Sequence, residues 1–158
     1  MKQLEQILER LIQSEVEFVV VGGFAAMAHG SPLITQDVDI CLRPSGGNWM
    51  RLQDALDGLH PVHRMTPDKR ALELTVEFCR ALKSLYLDTS WGQLDCLSEV
   101  DGVGDYEKIV TDSEELELPF GLCRVMSLDA LIQSKEAIAR PKDILALTHL
   151  KAIREAKD

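Results

Sequence analysis

The sequence predicts an α+β fold, a mixed β-sheet packed against helices, and three observations carry that reading. Residues 18–21 and 37–42 are short apolar runs rich in β-branched side chains, with the length of strands rather than helices. Apolar residues recur at helical spacing near both ends of the chain, at Leu4, Ile7, Leu8, Leu11 and Ile12 and again at Ile144, Leu147, Leu150 and Ile153. Between them, residues 85–89 and 93–97 flank Ser90-Trp91-Gly92 and form an antiparallel pair around a short turn.

Taken in order, the first helix presents one apolar face to a sheet and a charged face to water. Residues 18–21 are nearly all apolar, as in a central strand covered on both faces, and Gly22-Gly23 then turns the chain into a short helix. His29-Gly30-Ser31-Pro32 ends that helix, with His29 expected at the rim of whatever site lies there. After the strand at 37–42, Arg43-Pro44-Ser45-Gly46-Gly47 is a turn, and Trp49, Leu52, Leu56 and Leu59 mark a helix with Asp54 and Asp57 on its wet side. Residues 60–69 are polar with two prolines and read as a loop. The stretch 71–82 fits two periods. The charges at Glu73, Glu77, Arg80 and Lys83 favour a helix.

Residues 101–105 read as a surface loop, and 114–118 with 122–126 as edge strands around Pro119-Phe120-Gly121. Ser127 is a suitable N-cap, with Asp129 in the first turn of a helix running to about Ala139. Pro141 then suits the first position of a last helix.

The 158 residues fit one domain, 1–158, with a real core. Seventeen basic against 26 acidic residues give a net charge of −9, which disfavours an extended nucleic-acid interface. A nucleotide carried with its own Mg²⁺ remains compatible. The four cysteines lie far apart, without the spacing of a zinc site, and read as reduced core thiols. The acidic, weakly apolar start and the absence of any apolar run near ~20 residues point to a cytoplasmic protein without a membrane span.

Two motifs carry chemistry. An apolar strand ending in Gly22-Gly23 and entering a helix lets the backbone approach an anion closely. Asp37 and Asp39 stand two apart in a strand, so both carboxylates leave it on one face, about 7 Å apart along the backbone. Such a pair needs neutralising, and Mg²⁺ is the hard, oxygen-seeking ion held by carboxylates together with substrate phosphates. Asp95, between Leu94 and Cys96, is an acid inside an apolar strand and needs a partner, either a basic side chain or a metal. Lys135 and Arg140 are the candidates for balancing phosphate charge.

Gly22-Gly23, the short helix and Asp37-Val38-Asp39-Ile40 resemble the signature of the DNA-polymerase-β-type nucleotidyltransferase superfamily, specifically its small bacterial members. The resemblance extends through Leu94-Asp95-Cys96-Leu97 and the segment 127–150. It implies a nucleotidyltransferase fold closed by C-terminal helices, in which Asp37, Asp39 and Asp95 hold two Mg²⁺ ions, with Mn²⁺ as a substitute. It further implies that Gly22, Gly23, Lys135 and Arg140 hold a nucleoside triphosphate. The activity implied is transfer of a nucleoside monophosphate, AMP from ATP, to a hydroxyl on a protein, an RNA end or a small molecule. The alternative is an inactive nucleotide- or partner-binding module of the same fold, for example one half of a toxin–antitoxin pair. Two positions depart from the pattern: Gly23 stands where many active members have serine, a residue expected to be tolerated there, and Leu33 where related sequences often carry arginine.

Overall fold

The computed structural model describes residues 2–158. Helix α1 (Lys2–Gln13) buries Leu4, Ile7, Leu8 and Leu11, the stripe its periodicity foretells. Strand β1 (Phe18–Val21) follows, then α2 (Gly22–Ala28), β2 (Asp37–Leu42) and α3 (Gly46–Ala55). Short elements β3 (Val62–His63) and α4 (Val76–Cys79) precede the hairpin β4 (Ser84–Thr89) and β5 (Gly92–Leu97). A small two-stranded ribbon, β6 (Glu99–Val100) with β7 (Gly104–Asp105), leads into α5 (Tyr106–Thr111). Strands β8 (Ser113–Leu118) and β9 (Gly121–Met126) form a second hairpin, and α6 (Leu128–Ile138), a 3-10 turn at Pro141–Asp143 and α7 (Ile144–Lys157) complete the chain.

Seven strands form one mixed sheet in the order β3-β4-β5-β2-β1-β9-β8. β1 pairs antiparallel with β2 and parallel with β9, and β2 pairs parallel with β5. All four residues of β1 are buried, as a strand flanked on both sides and covered on both faces must be. Helix α6 opens with Ser127 accepting a hydrogen bond from the Ala130 N–H, and it closes at Ala139 in the left-handed region (φ 52°). All four cysteines are buried and free.

Three expectations are corrected. Residues 71–75 are extended, with Leu72 and Leu74 buried and their neighbours exposed, and only Val76–Cys79 is helical. The period of two prevails there because alternate leucines reach the core. Strand β9 is not an edge: it pairs with β1 as well as β8, and Cys123, Val125 and Met126 are buried there. The loop at 60–69 contains β3, which extends the sheet beyond β4 through Val62 opposite Asp88 and His63 opposite Leu87. Helix α5 has no counterpart in the sequence reading.

One buried amide ties the turns together at the end of the sheet. Asn48 is fully buried; its Oδ1 accepts from the Glu17 N–H at 2.8 Å, and its Nδ2 donates to the Glu17 and Arg43 carbonyls at 2.9 and 3.0 Å. Asn48→Ala should therefore destabilise the protein by about 2–3 kcal/mol, because the Glu17 N–H loses its acceptor and the Glu17 and Arg43 carbonyls each keep only one of two donors. Chemical denaturation of the pair of proteins measures this.

Candidate active site

The pairing of β2 with β5 assembles the site. In that parallel register Asp39 lies opposite Asp95, and Asp37 opposite Gln93. Asp37 and Asp39 share a face, as alternation requires, so three carboxylates converge and offer oxygens all within 4.8 Å of one another. Thr35 Oγ1 donates to Asp37 Oδ1 at 2.9 Å and orients that carboxylate.

Gly22 stands directly against this cluster. Its φ is +67°, and a Cβ there would sit 2.5 Å from Asp39 Oδ2. Both the backbone conformation and the space demand glycine. Gly23 lies behind it, where a Cβ would come within 3.0 Å of Thr35 Cβ and Oγ1. A serine at 23 requires Thr35, the residue that orients Asp37, to yield by a few tenths of an ångström.

Asp39 Oδ1 is buried and has no hydrogen-bond partner. Burial, reinforced by Asp37 and Asp95, pushes the Asp39 carboxyl up to about 7, against the weaker opposing influence of Lys135 and Arg64. Asp95 is also raised by burial, with Arg64 opposing. An unspent buried carboxylate oxygen beside two more acids is the donor set that suits a hard divalent cation. The residues present therefore fit the implied Mg²⁺.

A cleft of about 480 Å³ opens over the cluster, and Gly22, Asp39, Asp95, Lys135 and Arg140 all line it. Gly23 and Asp37 are not among its lining residues. Lys135 Nζ and Arg140 Nε both bind the buried Asp143, at 3.2 and 2.8 Å, so α6 and the turn after it are locked with two cations on the cleft wall. The Arg140 hydrogen bond, aided by Lys135, holds the Asp143 carboxyl below its usual range.

His29, expected at the rim, is instead a packing residue: it is buried, with Nε2 2.9 Å from the Met126 carbonyl. Arg64 is the residue the sequence reading missed. Its Nη2 binds Asp95 Oδ1 at 2.6 Å, supplying the basic partner that an acid in an apolar strand called for. Tyr86, also unassigned from sequence, lies opposite Asp95 across the β4–β5 hairpin and lines the cleft with Ser98 and Glu99. A turn of two residues, Ser90-Trp91, sets that register; the three-residue turn read from the sequence displaces it by one.

No protein-family model matches the sequence, and no curated protein is similar to it in sequence. Solved structures are similar in fold. The lincosamide antibiotic adenylyltransferase LnuA, lincomycin-bound, superposes with a TM-score of 0.64 at 15% identity, over 96% of each chain. The antibiotic-resistance factor ANT(2'')-Ia in solution gives 0.59 at 16% identity, over 97% of this chain and 80% of that one. The crystal structure of ANT(2'')-Ia in complex with adenylyl-2''-tobramycin gives 0.58 at 16% identity, over 96% and 92%. The fold is thus that of small nucleotidyltransferases, the α+β mixed sheet with C-terminal helices that the sequence predicts. Among the described residues no helix is long and apolar enough to cross a membrane.

Two predictions follow from the cluster. Asp39 binds its proton more tightly when folded than the ordinary carboxyl of the unfolded chain. Its contribution is therefore intact below about pH 4 and lost as pH rises to about 7, a loss on the order of 4 kcal/mol in metal-free protein. Asp39→Asn should flatten that decline, so the melting temperatures of variant and parent should agree near pH 4 and diverge in the variant's favour by pH 7.5. Gly22→Ala should be destabilised by about 1–3 kcal/mol through its left-handed backbone and the clash with Asp39, measured by denaturant unfolding.

Proposed function

We propose that the protein is a Mg²⁺-dependent nucleotidyltransferase that moves AMP from ATP onto a hydroxyl of a small molecule. The observation that carries this reading is the convergence of Asp37, Asp39 and Asp95 on one point beside Gly22, in a cleft also lined by Lys135 and Arg140. The likeness in fold to adenylyltransferases acting on antibiotics supports adenylyl transfer. A small acceptor suits the cleft and the net charge of −9 better than an RNA end does.

Bound divalent ions would neutralise charge on the reacting phosphate and ease deprotonation of the acceptor hydroxyl. Asp37, Asp39 and Asp95 would hold them. Gly22 lines the cleft, and without a side chain its turn would let backbone approach the β- and γ-phosphates. Lys135 and Arg140 complement the remaining phosphate charge, and Asp143 fixes where they point. Asp95 lies on the strand beside Tyr86, on the hairpin side of the cleft, and in this reading it would accept the acceptor's proton.

Incubation with α-labelled ATP, Mg²⁺ or Mn²⁺ and a panel of hydroxylated small molecules, aminoglycosides and lincosamides included, should transfer label and release pyrophosphate. Single Asp→Asn changes at 37, 39 and 95 should each reduce transfer by at least ~10²-fold while the proteins stay folded. Asp88→Asn is the comparison, because Asp88 pairs with Lys69 at 3.7 Å and is not among the three converging acids; it should retain activity within a few-fold. A melting temperature raised by Mg²⁺ and ATP, with no label transferred to anything, would identify the protein as an inactive nucleotide-binding module.

A further inference from the structure

We propose that Arg64 is a tethered counter-cation that competes with divalent metal for the acid cluster, so that the nucleotide-free protein takes up metal weakly. The inference rests on the metal-dependent reading above and assigns a role to a residue outside the acid and phosphate-binding sets.

Arg64 is held in place along its whole length. Its backbone N–H donates to the Tyr86 carbonyl at 2.8 Å, its Nη1 donates to the Leu87 carbonyl at 3.2 Å, and its guanidinium lies 5.9 Å from the Tyr86 ring centre. The other terminal nitrogen, Nη2, binds Asp95 Oδ1 at 2.6 Å, and the two side chains are only 20% and 19% exposed. Asp95 needs no ion pair for its placement. Its strand is paired on both sides, with Asp39 opposite in β2 and Tyr86 opposite in β4.

What Arg64 supplies is therefore charge. Three ionised carboxylates amount to −3, and the guanidinium on Asp95 leaves −2 for an incoming ion. A positive charge in contact with one ligand repels a divalent cation at the same cluster, and in this half-buried setting the repulsion corresponds to at least ~10-fold in affinity after allowing for solvent. Lys135 and Arg140 are engaged by Asp143 and do not replace it. A triphosphate brings negative oxygens of its own, which offset the guanidinium and favour entry of metal together with nucleotide.

The test is calorimetric titration of the nucleotide-free protein with Mn²⁺ at pH 7.5. Arg64→Gln should bind Mn²⁺ at least ~10-fold more tightly than the parent, while Arg64→Lys, which keeps the charge, should stay within ~3-fold. In parent protein with ¹⁵N-labelled arginine, the Arg64 guanidinium resonance should shift along Mg²⁺ titration with the same midpoint as binding. This second measurement decides the matter if Arg64→Gln does not fold. A folded Arg64→Gln that binds Mn²⁺ no more tightly than the parent, or an Arg64 resonance unmoved at saturating Mg²⁺, overturns the proposal and leaves the metal reading standing. Failure of parent and variant alike to bind either ion would remove both.

Discussion

Parallel pairing of β2 with β5 is the constraint on which the rest depends. Neighbouring strands lie about 4.8 Å apart, so setting Asp39 opposite Asp95 forces two carboxylates to within ion-sharing distance, and alternation adds Asp37 to the same face. Three like charges would push an isolated pair of strands apart or out of register. They are held because Val38, Ile40, Leu94 and Cys96 are fully buried on the opposite face, and because a slip by one residue would carry those side chains to the wrong face. The electrostatic cost is thus imposed by the core, and it surfaces in the Asp39 carboxyl, pushed up to about 7.

Counter-charges are placed around that cost in two separate sets. Arg64 reaches in from the β3 side of the sheet and contacts Asp95 directly. Lys135 and Arg140 come from the helical side and are clamped to Asp143 instead of to the triad. The separation matters chemically: cations already paired with the cluster would be lost to a phosphate, whereas cations fixed beside it on their own carboxylate keep N–H groups to donate. In the proposed reading, one set tempers the acids and the other would meet an anion.

Much of this was legible in the sequence, and the parts that were not share a physical reason. β1, β2, β5, the Gly22 turn and the three acids follow from local alternation and from the rarity of a carboxylate in an apolar strand. Arg64 was hidden because its neighbourhood is polar and proline-containing, and its role comes from β3 joining the edge of the sheet, a tertiary pairing without a local signature. Residues 71–75 misled because two periods coincide over so short a stretch, and burial of Leu72 and Leu74 decided between them. β9 looked like an edge because its partner β1, where Val20 lies opposite Val125, is about a hundred residues away. The Gly23 contact with Thr35 likewise arises only once the loop before β2 folds back on α2.

The strand order also gives the cleft a direction. β9 and the helix that follows it lie on one side of the β1–β2–β5 centre, and β4 lies on the other. The lining draws on both sides: Lys135 and Arg140 come from the helical side, whereas Lys83, Tyr86, Ser98 and Glu99 come from the hairpin and the residues flanking it. An in-line displacement at phosphorus needs its leaving group and its nucleophile on opposite sides. Under the proposed function, Lys135 and Arg140 would face the departing polyphosphate, and Tyr86, Ser98 and Glu99 would offer hydroxyls and a carboxylate to a hydroxylated acceptor. The acids stand where those two sides meet, so the topology that brings Asp39 and Asp95 together also sets the axis along which group transfer would run.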